Sequence, residues 1–251
     1  MRTLALSDLH LGRSSSRILH PESLAALVAG FDRVLLLGDV VDEWYVTRAQ
    51  AHDLAARVRE ACRKAGARQT IWCRGNHDAH RPGGEEYALF DGVLYLHGHA
   101  VYNRLNGTGT VKDRIRALNA DKFGPERNGS RQGKRSWKLV EYAYKGFPHV
   151  LLFPLLWRRS IKQRMVALAE EVRREGPVRA MVLGHSHSPG MRHFRGLHVF
   201  NLGGWMRNTR PCAFVFENGF GRLVRIETRG REPAWGPLWR EAHLDGPAKH
   251  P

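Results

Sequence analysis

Cysteine is scarce in this chain of 251 residues, which contains only Cys62, Cys73 and Cys212. The three residues are widely spaced, odd in number and include no Cys-x-x-Cys pair. Such a set argues against a disulfide framework and is typical of a protein that works in a reducing compartment.

Long apolar runs are also missing. The longest run, VLLFPLLW at 150–157, is far shorter than the roughly 20 residues that a membrane-spanning helix requires. Near the amino terminus, the apolar stretch TLAL is interrupted by Ser7 and Asp8, so it is too short for the core of a signal peptide. We therefore expect a cytoplasmic protein, with a peripheral position at the inner face of a membrane as an option.

Acidic residues are few relative to basic ones, because 24 Asp and Glu face 40 Lys and Arg and the formal net charge is +16. A charge of this size favours anionic partners, namely nucleic acid, anionic lipid or a phosphorylated substrate, and carries no information about the fold. The rest of the composition, 42% hydrophobic and 25% charged, is ordinary for a globular protein that buries a full core.

Five apolar runs each end in polar residues, namely RTLALSD, RVLLLGD, TIWCRGNHD, VLYLHGH and AMVLGHSH. Runs that do not alternate between apolar and polar residues predict strands buried on both faces, as in an α/β sheet covered by helices. A helix that ends at Gly66 is predicted between the second and third runs, and a hairpin turn is predicted at Asn218 and Gly219. In such sheets, ligands bind at the carboxyl ends of the strands.

Residues 101–176 break this pattern, and they contain 17 Lys and Arg against 7 Asp and Glu. The stretch FPHVLLFPLLW precedes a predicted helix, SIKQRMVALAEEVRREG, whose apolar stripe includes Ile161, Met165 and Leu168. We interpret the segment as a basic helical cap inserted into a core of residues 1–100 and 177–227, and residues 228–251 as a tail packed on that core. The alternative is a solvated basic surface loop with helices that pack on the core.

The polar ends of the five runs contain carboxylates, imidazoles and an amide oxygen, but no thiolate. The motifs are Asp8-Leu9-His10, Gly38-Asp39, Gly75-Asn76-His77-Asp78, His97-Gly98-His99 and Gly184-His185-Ser186-His187. This donor set suits Mn²⁺, Fe or Zn²⁺ and is too rich in nitrogen for Ca²⁺. Each motif alone has an ordinary explanation as a turn, a helix cap or a strand-end histidine. Together they predict a site where two cations about 3.5–4 Å apart share one carboxylate.

In order, spacing and placement, the five motifs resemble those of the calcineurin-like metallophosphoesterase family. The resemblance implies a four-layer αββα sandwich of the α/β class and hydrolysis of a phosphoester by two divalent metal ions, with Mn²⁺ expected and Fe or Zn²⁺ as alternatives. The ligands that it implies are Asp8, His10, Asp39 and His187 for the first ion, and Asp39, Asn76, His97 and His185 for the second. His77 would be the general acid, and Asp78 would orient it.

Two stretches, GDVVDEW and FPLLWRRSIKQRM, resemble the branch of UDP-2,3-diacylglucosamine hydrolases, which are pyrophosphatases of lipid A biosynthesis with a cap that grips acyl chains. This resemblance implies a nucleotide-linked lipid as substrate. The residues expected to bind the substrate are Trp157, Arg158, Arg159, Lys162 and Arg164 of the second stretch. His99 is added as a substrate-side residue on its position alone, with a plain surface residue as the alternative.

Two alternatives to the lipid substrate stay open. That branch usually has Arg and Asp at the positions of His77 and His99, so a metallophosphodiesterase acting on a nucleotide, a nucleic acid or another phospholipid head group is the second hypothesis. A non-catalytic scaffold that kept the fold is the third. Such a scaffold is expected to lose metal ligands, whereas all seven candidates are present here.

Overall fold

The computed structural model describes residues 1–123, 159–229 and 232–244 of the chain. Over these residues, two β-sheets pack face to face with helices on their outer sides. The strands are β1 (Thr3–Leu6), β2 (Arg33–Leu37), β3 (Gln69–Cys73), β4 (Ala88–Phe90), β5 (Val93–Leu96), β6 (Ala180–Leu183), β7 (Gly190–Phe194), β8 (Leu197–Asn201), β9 (Cys212–Glu217), β10 (Phe220–Arg229) and β11 (Glu232–His243). The helical segments are a 3-10 turn (Pro21–Leu24), α1 (Ala25–Val28), α2 (Arg48–Lys64), α3 (His99–Tyr102), α4 (Val111–Phe123) and α5 (Arg159–Val172).

The first sheet has six strands in the order β11-β10-β9-β1-β2-β3. β1, β2 and β3 are parallel, whereas β9, β10 and β11 pair antiparallel. The turn between β9 and β10 is formed by Asn218 and Gly219, whose φ angles of 50° and 79° are those of a tight hairpin turn. The predicted hairpin is therefore confirmed.

The second sheet has five strands in the order β4-β5-β6-β8-β7. Its three central strands are parallel, and β4 and β7 pair antiparallel at the two edges. Each of the five apolar runs contains one of the parallel strands of the two sheets, namely β1, β2, β3, β5 or β6. The α/β class predicted from these runs is confirmed.

Three apolar cores separate four layers, so the αββα arrangement is confirmed. Between α2 and the first sheet, Val58 and Leu36 belong to one core. Between the two sheets, Leu35 belongs to a second core. Between the second sheet and helices α3, α4 and α5, Leu94 and Met165 belong to a third. Neighbouring residues of β2 serve different cores because side chains alternate across a strand, which explains why its sequence is apolar throughout.

Helix α2 forms where the sequence predicts a helix. Thr47 caps its first turn reciprocally with Gln50, and Gly66, with φ of 94°, follows its last turn. Its buried residues recur at helical spacing and face the first sheet: they are Ala51, Ala55, Val58, Ala61 and Cys62. The segment PESLAALVAGF, whose leucines and valine have helical spacing, forms a 3-10 turn followed by the single turn of α1.

Helices α4 and α5 border residues 124–158, which lie outside the described part of the chain. Ile115 of α4 and Met165 of α5 both belong to the third core. The two ends of the segment predicted as a cap therefore form the outer helical layer of the second sheet. The division into core, cap and tail stays a prediction. None of the described helices has the length and apolar character needed to cross a bilayer.

An ion pair ties the 3-10 turn to α2, and it gives the fold a predictable acid dependence. Glu22 accepts from Arg57 at 2.8 and 3.0 Å, and this pairing lowers the pKa of Glu22 from 4.5 to about 2. Because the folded-state pKa is the lower one, the pair stabilises the fold above pH 4.5, and this contribution is lost as the pH falls toward 2.

Glu22→Gln is expected to lower the free energy of unfolding at pH 7 by less than about 1 kcal/mol, since the pair is exposed to solvent. Urea denaturation at pH 7 and at acid pH measures this difference. Asp53→Asn is the control, because Asp53 lies 3.5 Å from Arg57 and should matter less. An unchanged acid dependence in Glu22→Gln would contradict the assignment.

Candidate dinuclear metal centre

The candidate site lies at the carboxyl ends of the parallel strands of both sheets. Parallel strands finish at the same edge of a sheet, so the segments that follow them meet there. The amide of His10 donates to the carbonyl oxygen of Asp39 at 2.9 Å, which links the segment after β1 to the segment after β2. The amide of His185, after β6, donates to the carboxylate of Asp8, after β1, at 2.9 Å and so links the two sheets.

A first group of donors consists of Asp8, His10 and His187, whose ligand atoms lie within 4.8 Å of one another. Asp8 Oδ1 is 3.2 Å from His187 Nε2, and His10 Nε2 is also 3.2 Å from His187 Nε2. Asp8 and His10 are buried, whereas the His187 side chain is 31% exposed. The group therefore faces solvent on the side of His187, where a substrate could approach.

A second group consists of Asp39, His97 and His185, again with ligand atoms within 4.8 Å of one another. Asp39 Oδ2 is 3.4 Å from His97 Nε2, and Asn76 Oδ1 is 3.2 Å from the same nitrogen. The oxygen of Asn76 thus joins the nitrogen and oxygen donors of this group. The structure brings together all seven residues that the motifs single out as candidate ligands.

In His10 and His97, Nδ1 is bonded to a group that is not a candidate ligand. Nε2 of each ring is therefore directed at the site. His10 Nδ1 lies 3.1 Å from Asp42 Oδ2, and His97 Nδ1 donates to the carbonyl oxygen of Leu37 at 2.8 Å. Metal-binding histidines characteristically make such a bond with the nitrogen that does not bind the metal. The convergence of His10 Nε2 and His187 Nε2 likewise suits a cation between them. The residues present therefore fit divalent metal ions.

A third group overlaps the other two and consists of His10, Asp39 and His77. Asp39 is thus a member of two groups, and it connects the second group to His10 of the first. His77 Nε2 is 4.0 Å from Asp39 Oδ2, and the His77 amide donates to Asp39 Oδ1 at 2.8 Å. His77 is placed either as a proton donor beside the centre or as a further ligand, and metal content distinguishes the two roles.

The backbone at the site is unusual, because several candidate ligands adopt the left-handed conformation. Their φ angles are 56° for Asp8, 49° for His10, 51° for Asp39, 73° for His185 and 53° for His187. Non-glycine residues adopt this region rarely and at a cost of about 1–3 kcal/mol each, and such residues cluster at functional sites. The turns after the strands therefore aim these side chains inward at the expense of local stability.

Glycines allow the strand-end segments to approach one another closely. A Cβ added to Gly184 would overlap Ser7 Oγ and Asp8 Oδ2, and one added to Gly75 would overlap Asp39 Oδ1. Since Asp8 and Asp39 belong to the donor groups, these two glycines determine where the carboxylates can lie.

Gly184→Ala is expected to displace Asp8 and lower the metal content of the purified protein, because the new methyl group occupies the position of the carboxylate. Metal analysis together with thermal melting measures the loss and separates it from unfolding. Gly190→Ala is the matched control, since a Cβ at Gly190 meets no heavy atom of the described residues within 4 Å. Equal metal content in the two variants would contradict this account of Gly184.

The charges of the site favour ionised carboxylates. Burial by itself raises the pKa of Asp39, but the neighbouring rings of His97 and His77 outweigh it and hold this pKa well below its usual value. Burial similarly lowers the pKa of His77, but the carboxylates of Asp42 and Asp39 outweigh it and raise the pKa to about 9. An anionic Asp39 beside a cationic His77 is the expected state near neutral pH.

The residue that orients His77 differs from the sequence-based expectation. Asp42 Oδ1 lies 2.8 Å from His77 Nδ1, so Asp42, and not Asp78, holds this ring. Asp78 instead accepts hydrogen bonds from the amides of Asp39 and Gly75 and from Trp72 Nε1. Its role is to connect the segments after β2 and β3, because its two oxygens are saturated by these donors.

Trp44 is a second site residue that sequence reasoning did not assign. Its ring stacks on that of His77 with centroids 3.9 Å apart and planes inclined by 28°. Asp42 and Trp44 both lie in the stretch GDVVDEW, directly after Asp39. Their spacing was visible, but which ring they contact depends on how the segment after β2 folds back over the segment after β3.

The residues predicted to bind substrate have different locations. His99 is buried, with Nε2 2.7 Å from Asn119 Oδ1, which favours a supporting role behind the second group of donors. On α5, Arg164 donates to the carbonyl oxygen of Tyr102 at 2.9 Å, and Lys162 lies 5.8 Å above the ring of Phe194. Trp157, Arg158 and the side chain of Arg159 lie outside the described residues.

Comparison with known protein families gives one family match. The profile of the family described as calcineurin-like phosphoesterase matches residues 1–189 of the chain. These residues include every motif of the site, through His187. Among curated protein sequences, no significant match to the chain is found.

Three similar solved structures are distant in sequence. Vps29 from Chaetomium thermophilum is 11% identical with a TM-score of 0.51, and the match covers 98% of both chains. Yfce, a phosphoesterase from E. coli, is 15% identical with a TM-score of 0.47, covering 98% of this chain and 100% of that one. A predicted phosphoesterase from Streptococcus pneumoniae TIGR4 is 13% identical with a TM-score of 0.47, covering 96% and 97%. The similarity to Vps29 from Chaetomium thermophilum concerns the fold alone.

Proposed function

The chain belongs to the calcineurin-like phosphoesterase family, and on that premise we propose that it hydrolyses phosphoesters with two divalent metal ions held by the donor groups described above. One observation carries this proposal. The buried carboxylate of Asp39 belongs to one donor group with His10 and His77 and to another with His97 and His185, so it could serve two cations. The family supports the class of reaction, and the shared carboxylate supports a centre of two ions.

Each ion is assigned a set of ligands. The first set is Asp8, His10, Asp39 and His187, and the second is Asp39, Asn76, His97 and His185. Bound there, two cations would supply a water molecule of lowered pKa and positive charge for the phosphate oxygens. Imidazole, carboxylate and amide donors suit Mn²⁺, which we propose as the native ion, with Fe and Zn²⁺ as alternatives.

His77 is proposed as the proton donor to the leaving oxygen. Its Nδ1 is held by Asp42 and its ring is stacked on Trp44, so Nε2 is directed to the side of Asp39. The carboxylates of Asp42 and Asp39 raise the pKa of the ring, which favours the protonated state that a general acid needs. Asp42 positions the ring, and Asp78 holds the backbone segment on which the ring is carried.

For the substrate, we propose the pyrophosphate bond of UDP-2,3-diacylglucosamine. The stretches GDVVDEW and FPLLWRRSIKQRM and the basic character of residues 101–176 support this choice. Asp42 and Trp44 of the first stretch contact His77, and Lys162 and Arg164 of the second add positive charge to α5. A peripheral position at an anionic membrane face would follow from a lipid substrate.

A different phosphodiester, such as a nucleotide, a nucleic acid or another phospholipid head group, is the second candidate. It is favoured by His77, because a protonated imidazole beside the centre can serve a leaving group of any of these esters. A basic surface would hold nucleic acid through phosphate contacts alone. The burial of His99 removes one of the residues expected to contact the lipid nucleotide directly.

Hydrolysis of UDP-2,3-diacylglucosamine is to be compared with that of bis-p-nitrophenyl phosphate, with Mn²⁺, with Fe or Zn²⁺, and with a chelator. Activity on both that requires metal supports the two-metal hydrolase. Faster cleavage of the lipid nucleotide, with release of UMP, supports the lipid substrate. Turnover of the generic diester alone overturns the lipid substrate and leaves the hydrolase, whereas full activity in chelator contradicts the metal centre itself.

A further inference from the structure

A basic cavity lies on the outer side of the first sheet, away from the metal donors. Its volume is about 390 Å³, within the range of roughly 300–1,000 Å³ that small-molecule sites occupy. One face of α2 and the loop after the Gly75–Asp78 motif form its walls. The lining residues are His52, Ala56, Arg59, Glu60, Arg63, Arg81 and Pro82.

The charges of this cavity are unbalanced. Arg59, Arg63 and Arg81 contribute three guanidinium groups, and Glu60 is the one acid among the seven lining residues. Glu60 is already engaged, because it accepts from Arg63 at two positions, both at 2.7 Å. Arg59 and Arg81 take part in none of the ion pairs found among the described residues, so two positive charges face the cavity without a carboxylate in contact.

Arg81 differs from the other cations of the cavity because its side chain is buried. It is only 6% exposed, and its Nε has no hydrogen-bond acceptor in the described part of the chain. Nη1 reaches the carbonyl oxygen of Ala51 at a long 3.4 Å, and the guanidinium lies 4.5 Å above the ring of Trp72. Asp78 and Glu43 attract it only through space, and burial lowers its pKa. A buried cation without a paired anion is costly, which favours a ligand that brings negative charge.

We propose that Arg59, Arg63 and Arg81 form a second anion site, separate from the metal centre, which binds the phosphate group of a small phosphate monoester. Guanidinium groups match phosphate oxygens with paired hydrogen bonds, and a dianion with three terminal oxygens can meet more than one of them. The cavity leaves room beside the phosphate for the rest of the ligand, bordered by His52 and Pro82.

The site is connected to the metal donors through the side chains of Trp72 and Asp78. Trp72, which lies beneath Arg81, donates from Nε1 to Asp78 Oδ2 at 3.1 Å. The other oxygen of Asp78 accepts from the Asp39 amide at 3.0 Å. A ligand that draws Arg81 toward the cavity would therefore act, through Trp72, on the residue that accepts from the Asp39 amide.

Calorimetric titration of inorganic phosphate and of glycerol phosphate into the metal-free, full-length protein tests the site. We expect saturable binding, with the ester at least as tight as inorganic phosphate because the cavity extends beyond the phosphate position. Arg59→Ala removes an exposed cation and Ala56→Glu adds a carboxylate, so each should weaken binding about tenfold or more. Both substitutions lie on the exposed face of α2, so the fold is expected to persist.

Arg68→Ala is the matched control, since Arg68 is 85% exposed and lies outside the cavity. The affinity of this variant for phosphate should be unchanged. Asp39→Asn tests separation from the metal donors and should also bind phosphate normally. Binding that is lost in Asp39→Asn but retained in Arg59→Ala would overturn the proposal, as would weaker binding of the ester or no saturable binding at millimolar phosphate. Hydrolysis by Ala56→Glu should persist, so the outcome is independent of the proposed function.

Discussion

Asp39→Asn should abolish metal-dependent hydrolysis, with kcat/KM falling by at least about a thousandfold. The amide keeps the size of the side chain and can still accept from the His77 amide, as Asp39 Oδ1 does at 2.8 Å. What it removes is the negative charge that two groups of donors share. The measurement combines metal analysis of the purified protein with the hydrolysis rate of bis-p-nitrophenyl phosphate in Mn²⁺.

The control for this experiment is Asp53→Asn, which removes the same charge from an exposed position on α2. It should leave both metal content and rate at the wild-type level. If Asp39→Asn retained two metal ions per chain and most of the activity, Asp39 would not bridge them. The metal ligands would then have to be assigned to the group of Asp8, His10 and His187 alone.

His77→Gln should slow hydrolysis of a diester with an alkyl leaving group by about 10²–10⁴-fold. It should slow bis-p-nitrophenyl phosphate much less, because nitrophenolate departs without needing a proton. Rates for the two substrates, measured in the variant and the wild type, give the leaving-group dependence directly. The exposed His80, in the loop that follows, provides the control His80→Gln, which should show no such dependence.

Metal content is the second measurement on His77→Gln, because His77 also belongs to a group that could hold an ion with His10 and Asp39. Unchanged metal content together with a leaving-group effect supports a proton donor. Loss of an ion together with equal slowing of both substrates identifies His77 as a ligand and contradicts its assignment as the acid.

Asp42→Asn should show the same leaving-group dependence as His77→Gln, but to a smaller degree, since Asp42 acts through the ring that it holds at 2.8 Å. Asp42 also lies 3.1 Å from His10 Nδ1, so a modest decrease in affinity for the first ion is expected as well. The decisive comparison is the ratio of rates for the two leaving groups. A variant that slows both substrates equally would indicate that Asp42 acts on the metal ligand and not on the acid.

The parallel strands and most of the candidate ligands could be predicted from the sequence for a physical reason. Strands that are buried on both faces must be apolar throughout, so a polar residue at the end of such a strand stands out. Asp8, Asp39, Asn76, His97 and His185 each appear within three residues of the end of an apolar run. Five such ends leave few alternatives to a shared site, whichever strands turn out to be neighbours.

Pairings across the site could not be predicted in the same way. Asp78 directly follows His77, and Asp42 lies three residues after Asp39. The family resemblance implied Asp78 as the residue that orients His77. The structure assigns that role to Asp42, because backbone amides and Trp72 already occupy the oxygens of Asp78. The contact between Asp42 and His77 depends on how the segment after β2 crosses the segment after β3. The sequence of neither segment predicts that crossing.

By itself, the sequence determined the class of fold, the donor types of the site and the strand ends that carry them, because these follow from local burial and local chemistry. Only the tertiary structure decided that α4 and α5 cover the second sheet, that His99 is buried, and that five candidate ligands stand on left-handed backbone. Each of these depends on packing between segments distant in the chain. The packing of the layers stabilises the strained backbone and removes His99 from solvent. Both effects depend on contacts that exist only in the folded protein.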